Sequence, residues 1–212
     1  MIEYRNLHFS EDVLGSTARK FDDIWTYADY VTWNDGQRWE IIDGVAYAMS
    51  PAPAIRHQSI SGNLAICVLS HFKGTQCAAF QAPTDVVFDD LNVVQPDLLV
   101  VCDRNKITEA NITGAPDLIV EILSPSTMVR DRREKRALYE RFGVREYLII
   151  HPVDEIVERY LLSDGRYGSP EIFDWTETLT PGIFPDLTLN LWEIFDKKLP
   201  TEKPVTRGPM TS

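Results

Sequence analysis

The chain has 212 residues, 44% hydrophobic and 25% charged, which suits one soluble globular domain and excludes a low-complexity or fibrous protein. A net charge of −11 excludes a protein that coats nucleic acid with a uniformly basic surface. No apolar run is long enough to span a membrane, and MIEYRNLHFSEDV lacks a basic-then-apolar signal pattern, so a cytoplasmic protein is expected.

Residues 1 to about 37 are polar and aromatic with weak periodicity, and a helical turn is expected near Ile24–Val31. RWEIIDGVAYAMS, residues 38–50, alternates on either side of Asp43-Gly44 and predicts a β-hairpin, ended by Pro51 and Pro53. A helix is predicted from Ala54 to about Phe72, because Ile60, Leu64, Cys67, Val68 and His71 recur at helical spacing before Gly74. His57 lies on the same stripe and is expected as a cap or a packed side chain. Strands follow at Gln76–Gln81 and Thr84–Phe88, and then Val93–Cys102, VVQPDLLVVC, which with the second forms a hairpin over 84–102. Pro96 lacks a ladder donor, so a bulge or bend is expected just before Asp97.

Residues 103–117 read as a polar connection. Leu118–Leu123, LIVEIL, is a strand that breaks at SPST; a helix from about Val129 to Phe142 stops at Gly143, and Val144–Ile150 is another strand. Strand, helix, strand in this order predicts a parallel pair. A second hairpin, Glu155–Leu162 with Glu171–Trp175, flanks SDGRYGS; Leu187–Leu189 and a short helix near Leu191–Phe195 follow, and from Lys197 onward disorder is expected. Three scattered cysteines, Cys67, Cys77 and Cys102, form no CxxC pair and are expected as reduced, buried thiols.

Two of these strands hold an ionisable group out of place. Asp97 stands in VVQPDLLVVC and Glu121 in LIVEIL, and an unpaired carboxylate among such neighbours costs several kcal/mol. A cation between them removes the cost. On the helix 129–142, Lys135, Leu138, Tyr139 and Phe142 share the apolar face, so Lys135 is the basic residue turned toward the sheet. Two carboxylates and water hold Mg²⁺ or Mn²⁺ and leave positions for phosphate oxygens, while a lysine stabilises developing negative charge. Simpler explanations stay open: Asp97 caps the bend, Glu121 pairs with Lys135, or Lys135 snorkels to solvent. Asp131 either shares the Lys135 stripe or is an acid favoured at a helix start. Between Arg130 and Arg145 stand seven basic and three acidic residues, a basic surface or a solvated face of ion pairs.

V-x-PD, IVE-I-L-SPST, D-x-x-x-K-x-x-x-Y and GV-x-EYLI, with WEIIDGVAYAMSPAP and HQ upstream, resemble the Uma-two family of restriction-endonuclease-like proteins, within the larger PD-(D/E)XK nuclease fold. The resemblance covers roughly residues 25–155. It implies an α/β protein with a three-layer α/β/α core and a mixed sheet, here with accessory β-hairpins. One domain over 1–196 is expected, with its core at about 54–150. The resemblance makes Asp97 the motif aspartate, preferred to Asp117 at a strand mouth, and Glu121 the motif glutamate. The lysine two residues after the glutamate is missing, since Leu123 stands there, and Lys135 takes its place. Glu40 matches a family glutamate and is expected as a further metal ligand or an exposed strand residue. The implied activity is metal-dependent hydrolysis of DNA phosphodiester bonds. Two rivals stay open: a catalytically inactive binding module on the same fold, and a hydrolase of a small phosphorylated substrate. The hydrophobic hairpins would suit a homodimer.

Overall fold

The computed structural model describes residues 24–49, 53–125 and 127–199. Outside the described residues lie 1–23, the hairpin end at 50–52, Ser126 of the SPST break and tail residues 200–212.

A short helix α1, Tyr27–Tyr30, is closed by a capping box in which Thr26 and Asp29 satisfy each other's backbone amides. The first hairpin pairs β1, Trp39–Ile42, with β2, Val45–Ala48, through Asp43 and Gly44, both at positive φ as a tight hairpin turn requires. The long helix α2, Ile55–Phe72, buries Ile60, Leu64, Ala65, Val68 and Phe72 on one stripe. Then come β3, Ala78–Gln81, β4, Val86–Asp89, β5, Asn92–Val94, and β6, Leu98–Val101. The single strand expected over 93–102 is therefore two. Pro96 has no N–H and ends the β4–β5 hairpin, and the chain crosses at Gln95-Pro96-Asp97 into a different sheet. The expected bend before Asp97 is a change of layer.

After the short β7, Ile112–Thr113, the chain enters β8, Leu118–Ile122. A continuous helical stretch follows: α3, Met128–Arg130, a π turn over Asp131–Lys135, and α4, Arg136–Phe142, ended by Gly143 at φ 80. The parallel partner is β9, Glu146–His151, with Glu121 opposite Ile149. The strand β10, Ile156–Ser163, pairs with both β11, Arg166–Tyr167, and β12, Glu171–Asp174. The pair β13, Thr178–Leu179, and β14, Leu189–Asn190, with α5, Leu191–Ile194, ends the described chain.

The main sheet runs β11-β10-β9-β8-β6-β3, with β12 also on β10; only β8 and β9 are parallel. A second sheet runs β2-β1-β5-β4-β7. Strand alternation sorts the core. Leu98, Val100, Leu118, Val120, Leu148 and Ile150 pack against α2 and α5. Leu99, Val101, Ile119, Tyr147 and Ile149 face α4 and the second sheet. The main sheet thus lies between a helical layer and a layer of helix plus accessory hairpins.

The cysteines are not three reduced thiols. Cys77 and Cys102 form a disulfide, and only Cys67 is free. The register Ala78↔Val101 sets the two cysteines opposite each other one step further along β3 and β6. Their separation of 25 residues in sequence concealed a pairing that only strand register creates. Among the described residues, no helix is long and apolar enough to cross a membrane.

Candidate active site

On the α4 side of the main sheet, the alternation that turns Ile119 inward also turns Glu121 inward, where it is 3% exposed. Lys135 reaches it from the π turn, with Nζ 2.9 Å from Glu121 Oε1 and 2.7 Å from Glu40 Oε1. The Tyr139 hydroxyl donates to the same Glu121 oxygen at 2.7 Å. Asp131 Oδ1 lies 3.6 Å from Lys135 Nζ and is buried without a hydrogen-bond partner among the described residues. The structure thus brings Glu40, Glu121 and Asp131 around one ammonium, all four residues 3% exposed or less.

The π turn explains the crowding. In an α-helix, residues five apart point about 140° apart, whereas a π turn brings i and i+5 onto one side. Arg130 and Lys135 stand in that relation and grip opposite oxygens of Glu40: Arg130 Nη1 donates to Oε2 at 3.1 Å. The Arg130 guanidinium also lies 4.6 Å from the Tyr47 ring centroid. Gln95 N–H donates to Glu40 Oε1 at 3.0 Å, so Glu40 satisfies the amide left over where β5 ends. Both Glu40 oxygens are engaged, Oε1 by Lys135 and the Gln95 amide and Oε2 by Arg130.

Asp97 sits at the rim. Beyond Leu98↔Val120, β6 offers no backbone acceptor to Ile122, and Asp97 Oδ2 takes the Ile122 N–H at 2.7 Å. The carboxylate extends the ladder and is thereby fixed beside Glu121. His57, in the first turn of α2, places Nε2 3.4 Å from the same oxygen. The Asp97 and His57 side chains are 20% and 11% exposed, so the cluster opens to solvent beside them. Asp117 stands apart, accepting from Cys102 N–H at 2.8 Å and from Arg145 at 3.2 Å.

The electrostatics follow from burial and count of charge. Burial pushes Glu121 well above the usual carboxylate range; Lys135 opposes this, while Asp131, Asp97 and Glu40 add to it. Burial also pushes Asp131 up to about 6, with Lys135 opposing. Burial would raise Glu40 too, but Lys135 and Arg130 outweigh it and hold its carboxyl below the usual value. Burial disfavours the charged form of Lys135, yet Glu121, Glu40 and Asp131 overcome it and keep the ammonium charged. Burial lowers His57, but the bond to Asp97 and the charge of Asp97 raise it further.

Sequence reasoning assigned no role to Arg130, Gln95 or Tyr139; it read His57 as a cap or packed side chain, whereas it faces Asp97, and of the two readings of Asp131 the structure shows the one beside Lys135. Tyr139 stood on the inward stripe with Lys135, and D-x-x-x-K-x-x-x-Y was the available signal. Nothing in the sequence marks the π turn. The basic run is largely consumed internally: Arg130 and Lys135 by the cluster, Arg132 by Glu158, Arg141 by Asp43 and Arg145 by Asp117.

Comparison with known proteins agrees with this architecture. The Uma2 family model, described as "Putative restriction endonuclease", matches residues 27–191. The uncharacterized protein slr1290 of Synechocystis sp. is 29% identical over 140 residues, 64% of this chain and 73% of that protein. The crystal structure of a "putative nuclease belonging to DUF820" from Anabaena variabilis matches with a TM-score of 0.67 at 22% identity, covering 81% of this chain and 97% of the other. The fold is thereby restriction-endonuclease-like.

Proposed function

The chain belongs to the Uma2 (Uma-two) family of restriction-endonuclease-like proteins, and from that premise we propose that it is a Mg²⁺- or Mn²⁺-dependent endonuclease that hydrolyses DNA phosphodiester bonds. The observation that supports this most is the convergence of Asp97, Glu121 and Lys135 at one end of the β6–β8 pair, where Asp97 opens the buried cluster to solvent.

The donor set suits a hard divalent cation. Asp97 Oδ1 accepts no hydrogen bond among the described residues, and Asp131 Oδ1 is buried with no hydrogen-bond partner there beyond its 3.6 Å ion pair to Lys135. No three His, Cys, Asp or Glu among the described residues form a metal cage. An ion held by Asp97 and Glu121 would therefore take its remaining ligands from water and phosphate oxygens, as Mg²⁺ commonly does. When bound, it would polarise the phosphodiester and lower the pKa of an attacking water.

The chain's own residues do the rest. Lys135 keeps its proton and presents a fixed cation where negative charge develops. Glu40, through Lys135 and the Arg130 guanidinium, holds that cation in place. Tyr139 orients Glu121, and the Ile122 amide with His57 orients Asp97.

The test is Mn²⁺ calorimetry with plasmid nicking on wild type and Asp97→Ala. Binding and nicking should both vanish in the variant. No Mn²⁺ binding by the wild type, or undiminished nicking by a folded Asp97→Ala, would overturn the reading. One observation favours a second reading, hydrolysis of a small phosphorylated substrate: most cations of the 130–145 run already have carboxylate partners. DNA binding should weaken steeply with salt, and a small-substrate site should not.

A further inference from the structure

A cavity of about 360 Å³ lies between the β3–β4 connection and the 107–112 segment. Its place follows from strand register. Val94 pairs with Val86, and Val86 with Ile112, so Gln95, Asp85 and Asn111, each one step outward, form a row at the end of the second sheet. All three line the cavity. The same end of that sheet holds Glu40, whose Oε1 accepts the Gln95 amide at 3.0 Å. On the opposite wall, Pro83 follows Ala82, whose N–H donates to the Asp97 carbonyl at 3.0 Å. Asp97 is two residues beyond Gln95, roughly 7 Å along extended backbone. The cavity therefore opens on the segment that presents the rim carboxylate.

Its chemistry is selective. Phe80, Pro83 and Ile107 supply flat or apolar walls. Both of its charged lining groups, Asp85 and Glu109, are carboxylates, and no basic residue lines it. Asp85 Oδ1 accepts from Tyr30 at 2.9 Å and from Gln95 at 2.7 Å, which fixes the carboxylate. Glu109 has no ion pair or hydrogen bond among the described residues and is exposed. Such a wall repels phosphate and favours a planar, neutral ring that donates hydrogen bonds. A cavity of a few hundred Å³ has the size of a small-molecule site and cannot admit a duplex.

We propose that this cavity is a subsite for a single unstacked nucleobase bearing an exocyclic amine, next to the phosphodiester presented at Asp97. The placement of that phosphodiester rests on the nuclease reading; the base-binding chemistry does not. Its consequence is a preference for single-stranded or locally opened nucleic acid, since a stacked base cannot enter.

Free nucleosides separate the two readings because they carry no phosphate. Titration of the full chain with cytidine and with uridine, which carries a carbonyl in place of the exocyclic amine on the same ribose, should give binding of cytidine and about 10-fold or more weaker binding of uridine. Ala110→Trp, at an exposed lining position, should weaken cytidine binding by a similar factor while the protein keeps its melting temperature. Asp85→Asn should narrow the difference between the nucleosides. Equal affinity for both nucleosides, no nucleoside binding by wild type, or unchanged binding by a folded Ala110→Trp would overturn the subsite. Cytidine binding by a protein that never nicks plasmid would sustain the subsite and sink the nuclease. Nicking without nucleoside binding would do the reverse.

Discussion

The two faces of the main sheet are made from the same strands and do opposite work. On the α2 face, Leu98, Val100, Leu118, Val120, Leu148 and Ile150 meet Ile60, Leu64, Val68 and Phe72 in an uninterrupted apolar core. On the α4 face, alternate residues of those strands surround Glu121, Glu40, Asp131 and Lys135, nearly excluded from water. Buried apolar area stabilises the first face, roughly 25 cal/mol per Å². The second keeps groups that cost free energy to bury unless each is paired. One face holds the sheet together, and the other is held by it.

The comparison can be broken by moving each face separately. The largest expected effect is Lys135→Met. It preserves most of the volume but leaves Glu121 without its cation and Glu40 with Arg130 alone, and should cost about 4 kcal/mol in a denaturant titration. Any nicking activity should be lost with it. Next is Leu64→Ala on α2, 1% exposed, which should cost about 3 kcal/mol through a cavity while leaving Mn²⁺ affinity of the folded fraction unchanged. Equal losses of affinity in the two variants would erase the distinction between the faces.

The smallest effect has the opposite sign. Asp131 is raised from 3.8 to about 6, so between those values the folded protein holds the proton more tightly than the unfolded chain. Stability from this group is therefore full below pH 3.8 and is lost as pH rises through 6. Asp131→Asn should raise the melting temperature at pH 7.5 more than at pH 4.5. Melts at the two pH values check the sign, and a lower melting temperature for the variant at pH 7.5 would show that its charge is well compensated.

Much of the fold was legible because its signals are local. Asp43-Gly44 between alternating runs marked the first hairpin, Gly143 marked the stop before β9, and the strand–helix–strand order gave the parallel pair β8–β9. Glu121 was legible as a carboxylate costly to bury and Lys135 as a residue on the inward stripe of Leu138 and Tyr139, whereas Asp97 stands between β5 and β6, 20% exposed and bonded to the Ile122 amide, rather than inside an apolar strand. The expected strand 93–102 failed at Pro96, since periodicity cannot report that two halves of one apolar run belong to different sheets.

The sequence by itself determined where most of the strands and helices lie, which face of each is apolar, and that Glu121 is a carboxylate out of place, because periodicity and burial cost are properties of short segments. The Glu121–Lys135 pair was one of the readings the sequence left open, and tertiary structure decided for it and added the remaining partners. The π turn that aligns Arg130 with Lys135, the Glu40 side chain arriving from the second sheet, and the opposition of Cys77 and Cys102 all depend on elements far apart in the chain. Charge compensation falls steeply with distance, and the distances are set only when the layers pack.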